Sequence, residues 1–224
     1  MSNKKIRMMV DIGMAVLLPL LMAYSLIGEK FHEIAGTVMT VLIIVHLVQN
    51  RKWVAAMPKG RYTPQRTFQT VLDTLLMVFM ILQPVSGILM SKHLYTFIRV
   101  PGISSLMRQL HMTMAYWGYV LMSVHAGMHL VAPMRRLFVK RGKIFAVVVA
   151  GLGCISIYGV TAFIKRGFPG YMSGRVAFAF FDFSEARLSF FLDYLAIMIL
   201  FMSFGCLAVY VLGKSPRKGK AEEK

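Results

Sequence analysis

Six stretches of this chain, roughly residues 8–28, 32–50, 70–91, 110–131, 144–164 and 190–212, are apolar over about the 20 residues a helix needs to cross a bilayer core. No other feature restricts the fold as strongly. Lipid offers no hydrogen bonds to a peptide group, so segments of this kind span a membrane as helices whose backbone bonds close internally. The expected fold is all-α, a polytopic membrane protein with six transmembrane helices. Composition agrees, because 57% of the 224 residues are hydrophobic and only nine are acidic, a balance unsuited to a soluble globular domain.

The net charge of +17 raises nucleic acid as a partner, but the basic residues sit in the connections between apolar stretches rather than in a motif or an aromatic-interleaved patch. Membrane topology accounts for them, with lipid as the partner and no nucleic acid. With the N-terminus in the cytoplasm, the cytoplasmic segments collect 18 of the 26 Lys and Arg residues: three near the start, five over 51–66, five over 135–143 and five in the tail. The positive-inside rule therefore predicts a multi-pass protein of the cell membrane with both termini cytoplasmic.

One domain is expected over residues 1–213, followed by a disordered basic cytoplasmic tail at 214–224. Ala23-Tyr24-Ser25 has the small-x-small pattern of a signal cleavage site, yet the apolar run before it is long, and the first span reads as an uncleaved anchor. Gly28-Glu29-Lys30 predicts a tight outer turn, while Pro58-Lys59-Gly60 and Thr63-Pro64 are turn signals on the inner side. Segment 165–189 interleaves Phe168, Tyr171, Phe178, Phe180, Phe181 and Phe183 with charges. It reads equally as an amphipathic piece at the headgroups or as a docking surface. Cys154 and Cys206 lie inside apolar spans as small buried hydrophobes, without a CxxC or CxxCH.

Histidines carry the chemistry. Of six, His32 and His46 lie 14 residues apart on span two, and His111 and His125 lie 14 apart on span four. At about 3.5 residues per turn in a bundle, 14 residues return to the same stripe after about four turns. At about 1.5 Å rise per residue, each pair spans roughly 21 Å and offers one ligand near each face of the hydrocarbon. Spans two and four both run outer to inner, so His32 matches His111 in depth and His46 matches His125. Two bis-histidine sites for haem b iron result, one above the other, each leaving the iron no open position. One bare metal ion is a poorer fit, because ligands that far apart on one helix cannot meet.

His129, one turn beyond His125, stays open as the alternative inner ligand. His93 at the outer end of span three suits an interfacial, quinone-binding or proton-handling role. Gly36 and Gly118 are positions where a flat macrocycle can approach a helix, with helix packing the equal alternative. Arg51, Lys52 and Arg61 inside, and Arg99 and Arg108 outside, are candidate partners for haem propionates. The 19 methionines are mostly packing.

Phe31-His32-Glu33 with Gly36, His46 through Asn50 and Trp53, Ser86-Gly87-Ile88, and Leu110-His111 running to His125-Ala126-Gly127-Met128-His129 carry a family resemblance. Together they resemble the membrane cytochromes associated with extracytosolic flavinylated electron-transfer systems, a group long known only as a domain of unknown function. The likeness covers about residues 5–131, the haem core, and reaches the two further spans at about 144–212 only loosely. It implies a cytochrome b-like four-helix haem-binding bundle, similar to the core of cytochrome b in quinol-oxidising complexes. It also implies a subunit that moves electrons between a quinone or cytoplasmic-side donor and an extracytosolic flavin-carrying protein. No flavin-attachment stretch of the Asp-x-x-Thr-Gly-Ala type is present, so that flavin would belong to another protein.

The leading expectation is transmembrane electron transfer by a dihaem b-type cytochrome with two non-covalent haem b groups. A quinone oxidoreductase is a variant, with His93, Gln83 or Asp73 near its site. The alternative from another class is a haem-free transporter or structural subunit using the histidines as a proton relay.

Overall fold

The computed structural model describes residues 3–98, 100–138, 141–176, 178–179 and 181–213. Every regular element among them is helical: α1 (Asn3–Met22), α2 (Tyr24–Ile27), α3 (Glu29–Gln49), α4 (Arg51–Ala56), α5 (Pro64–Met90), α6 (Ser104–Phe138), α7 (Gly142–Lys165), α8 (Phe168–Met172) and α9 (Arg187–Gly213). The tail 214–224, Arg99 and Phe180 lie outside the described residues.

A helix of at least 20 residues stands at each of the six apolar stretches. Four of them, α3, α5, α7 and α9, are long and apolar enough to cross a membrane. The expectation of six spans therefore goes further than these four. Helix α1 falls short because Lys4, Lys5, Arg7 and Asp11 crowd its first half, and α6 because its histidines, tyrosines and Trp117 dilute its apolar character. Outward faces suit lipid: Val147 and Ile157 on α7 are each 72% exposed.

Local signals explain the helix ends. Gly28 has φ +80°, a left-handed conformation in which a side chain is strained, and it turns the chain from α2 into α3 as expected. Thr63 caps α5, its hydroxyl accepting from the Arg66 N–H at 3.3 Å with Pro64 at the first helical position. Thus α5 starts six residues before the apolar run does. The connection ahead of it also holds α4 and closes around Arg66, whose guanidinium donates to the Ala56 carbonyl at 2.8 Å.

Helix α3 packs on α1 and α5, α6 packs on α5 and α9, and α7 packs on α9. The α6–α9 crossing is close because two glycines face backbone. A Cβ added at Gly127 would strike the Met202 carbonyl, and one at Gly205 would strike that of Val124. Above this crossing an aromatic core gathers Tyr116, Tyr119, Phe168, Tyr171, Phe190 and Tyr194. Tyr116 stacks on Tyr171 at 4.1 Å, and the Tyr119 hydroxyl donates to the Tyr194 carbonyl at 2.7 Å.

This core narrows both expectations for segment 165–189 to its later residues, where Phe178 and Phe183 stay exposed. Part of it is neither headgroup cover nor free surface, because α8 buries Phe168 completely and Tyr171 nearly so. An ionic clamp holds the same region. Arg166 reaches Glu185 at 2.7 Å and the fully buried Asp193 at 2.7 Å, while Lys165 reaches Asp193 at 2.9 Å and Glu185 at 3.1 Å. The Tyr158 hydroxyl also donates to Asp193.

Hydrogen bonds from Arg166 and Ser189 pull the Glu185 carboxyl down to about 2. A carboxylate depressed by folding stabilises above its unfolded value of about 4.3, and that contribution is lost as pH falls through the folded value. The melting temperature of the purified protein should therefore lose a Glu185-dependent increment between about pH 5 and pH 2. Glu185→Gln should flatten that decline and lower stability at neutral pH. An identical profile for the variant would contradict the assignment.

Candidate functional site

Helices α3 and α6 run in the same direction and barely touch. What spans the gap between them is imidazole. His32 lies opposite His111 with ring centroids 6.2 Å apart and planes 70° apart, and His46 lies opposite His125 at 6.4 Å and 73°. The two expected pairings are thus brought together, one toward each end of α3.

The separation is chemically specific. A metal bonded to one nitrogen of each ring at about 2 Å, with that nitrogen about 1 Å from the ring centre, holds the centroids about 6 Å apart. Imidazoles in direct hydrogen bond or stacking contact would sit differently. No group of three or more His, Cys, Asp and Glu suited to a metal ion occurs among the described residues.

Tautomers follow from the partners. His46 Nδ1 lies 2.9 Å from Asp11 Oδ1 on α1, and His125 Nδ1 lies 2.6 Å from Asp73 Oδ1 on α5. An ionised carboxylate only accepts, so each Nδ1 carries a proton, and in the neutral ring Nε2 keeps the lone pair. His111 is set the same way by neutral groups. Its Nδ1 meets the Gln83 carbonyl at 3.2 Å and Ser86 Oγ at 3.0 Å, while its Nε2 accepts from the Gln83 amide at 3.1 Å. The buried His32 Nδ1 has no hydrogen-bond partner of normal geometry, a marginal approach to the Leu21 carbonyl aside.

His129 stands beside His125, with ring centroids 4.6 Å apart, and it is His125 that lies across from His46. His93 sits in the loop after α5, its Nε2 3.7 Å from Glu29, where its backbone N–H and those of Lys92 and Leu94 donate to Glu33. Asp73 and Gln83, weighed at the sequence level for a quinone site, are hydrogen-bonded to His125 and His111. An added Cβ at Gly36 would meet nothing within 4 Å, whereas at Gly118 it would meet the Met80 methyl at 3.4 Å. Arg108 lies over the Phe178 ring at 4.9 Å, and Arg51 donates to the Val48 carbonyl at 3.2 Å.

Sequence reasoning passed over Asp11 and gave Ser86 and Gln83 no role behind His111. Asp11 had a usable signal, since an acid inside an apolar stretch is costly and calls for a partner.

A family model described as prokaryotic cytochrome b561 matches residues 8–141, and the chain belongs to that family. No curated protein and no solved structure matches it. The protein is therefore a membrane-embedded b-type cytochrome, of a class that binds haem b and transfers electrons across a membrane. This bears out the b-type core implied by the sequence resemblance and is broader than the flavinylation-associated group.

The residues present fit haem. Imidazoles paired across the gap between two helices at the separation two iron ligands require, and the open space at Gly36, suit a flat, iron-centred group.

Proposed function

We propose that this chain is a dihaem electron carrier with six membrane spans, in which His32 and His111 hold one haem b and His46 and His125 hold the other. The observation that carries this reading is the pair of 6.2 and 6.4 Å imidazole separations between helices that barely touch. When bound, an iron held by two imidazoles supplies a one-electron couple with no open coordination position.

The chain's own groups do the rest. Asp11 and Asp73 fix the Nδ1 protons of His46 and His125, and Ser86 with the Gln83 carbonyl fixes that of His111, which leaves Nε2 of each ring as the nitrogen that would hold iron. A haem iron held by His111 Nε2 would replace the bond that nitrogen accepts from the Gln83 amide. Glu33 ties the loop after α5 to α3, keeping His32 at fixed depth. Arg51, Lys52 and Arg61 at the His46 end and Arg108 at the His32 end are the described candidates for propionate contact.

The basic residues support cytoplasmic termini in the cell membrane, which puts His46 inward and His32 outward. Motif resemblance supports an extracytosolic flavin-carrying partner at the His32 end and a quinone or cytoplasmic donor, with the flavinylation-associated cytochromes as the nearest group.

A reduced-minus-oxidised spectrum of the purified protein should show a b-type band that carbon monoxide leaves unmoved, since neither iron has a free position. A carbon monoxide-sensitive spectrum would contradict bis-histidine ligation. Absence of any b-type band under haem-replete expression would return the histidines to a haem-free proton relay.

A further inference from the structure

The two histidine pairs differ in what stands behind them. At the His46 end both imidazoles are backed by carboxylates, Asp11 and Asp73. At the His32 end His111 is backed by a hydroxyl and a carbonyl, and His32 Nδ1 by nothing of normal geometry. The nearest acids there are spent elsewhere: Glu33 on Ser91 and three backbone N–H groups, and Glu29 on Lys92 and Tyr24.

We propose that Asp11 and Asp73 are positioning residues that set the reduction potential at the His46–His125 pair below that at the His32–His111 pair. The proposal rests on the dihaem reading above. A carboxylate bonded to Nδ1 raises the basicity of the coordinating Nε2 and places negative charge near the iron. Both effects favour the more positive, oxidised state, and burial strengthens them by lowering the local dielectric. Asp73 is only 6% exposed, and among the described residues its one ion-pair partner is His125. Asp11 is the weaker contributor, because its side chain is 56% exposed. Arg7, one turn before it, is directed to the Gln49 carbonyl at 3.1 Å and leaves the Asp11 carboxylate to His46. The His46 end is consequently the more reducing end of the molecule.

Spectropotentiometric titration of the full-length protein in lipid nanodiscs tests this, with haem counted per polypeptide in the same samples. The wild type should titrate in two waves, and the lower wave should survive in His32→Ala. Asp73→Asn should move the lower wave upward and leave the upper one in place. Asp11→Asn should do so by less, and Asp73→Glu should keep the wave low. Because removing a buried carboxylate can cost haem occupancy, Asp11→Asn serves as the folded comparison. An unmoved lower wave in both Asn variants, or both waves moving together, would overturn the proposal while leaving two haems intact. A wild type with fewer than two haems would overturn the dihaem reading itself.

Discussion

Gly205→Leu is expected to abolish correct packing of α9 on α6, with a stability loss of roughly 3 kcal/mol or more and little monodisperse protein in detergent. A Cβ at this position meets the Val124 carbonyl and comes within 3.1 Å of the Met128 amide nitrogen, and neither is a side chain that can rotate away. Gly127 makes the reciprocal approach to the Met202 carbonyl, so the same outcome is expected for Gly127→Leu. Gly36→Ala meets open space and should leave stability nearly unchanged, which separates close approach from a general cost of removing glycine. Gly127 lies two residues past His125, so any Gly205 variant that still folds should lose haem from the His46–His125 pair first. Equal thermal stability for Gly205→Leu and Gly36→Ala would contradict this packing.

His125→Ala should halve the haem bound per polypeptide, and His129→Ala should leave it unchanged. His125 faces His46 and is oriented by Asp73 at 2.6 Å, whereas the described ring contact of His129 is with His125 itself. Haem extraction and quantification from the two variants decides between them. Haem lost from His129→Ala and retained in His125→Ala would exchange their roles. His46→Ala should match His125→Ala, because removing either ligand opens the same site.

The sequence made the histidine pairing visible for a definite physical reason. A 14-residue interval is close to whole turns, and two same-direction helices carrying it must match their ligands in depth. Choosing His125 over His129 was harder. They differ by one turn on one face, and only the rotation of α6, fixed by Gly127 against α9, shows which ring meets His46.

Other features depend on contacts distant in sequence. Gly127 and Gly205 look like ordinary small residues until α6 and α9 cross. Phe168 and Tyr171 read as an interfacial stripe because their partners, Tyr116 and Tyr194, lie on other helices. Helix α6 runs for 35 residues, past both ends of its apolar run, since charged residues such as Arg108, Arg135 and Arg136 are good helix formers and do not end a helix. Asp11 sat in plain view, but its meaning requires the antiparallel packing of α1 on α3 that brings it level with His46.

Low-temperature electron paramagnetic resonance of the fully oxidised protein tests the central claim most directly, because it reports the axial ligands and the number of irons together. With imidazole planes 70° and 73° apart, the account predicts two strongly anisotropic low-spin ferric signals integrating to two spins per polypeptide. A single spin per polypeptide, or a dominant high-spin signal from an iron lacking its second histidine, would contradict it.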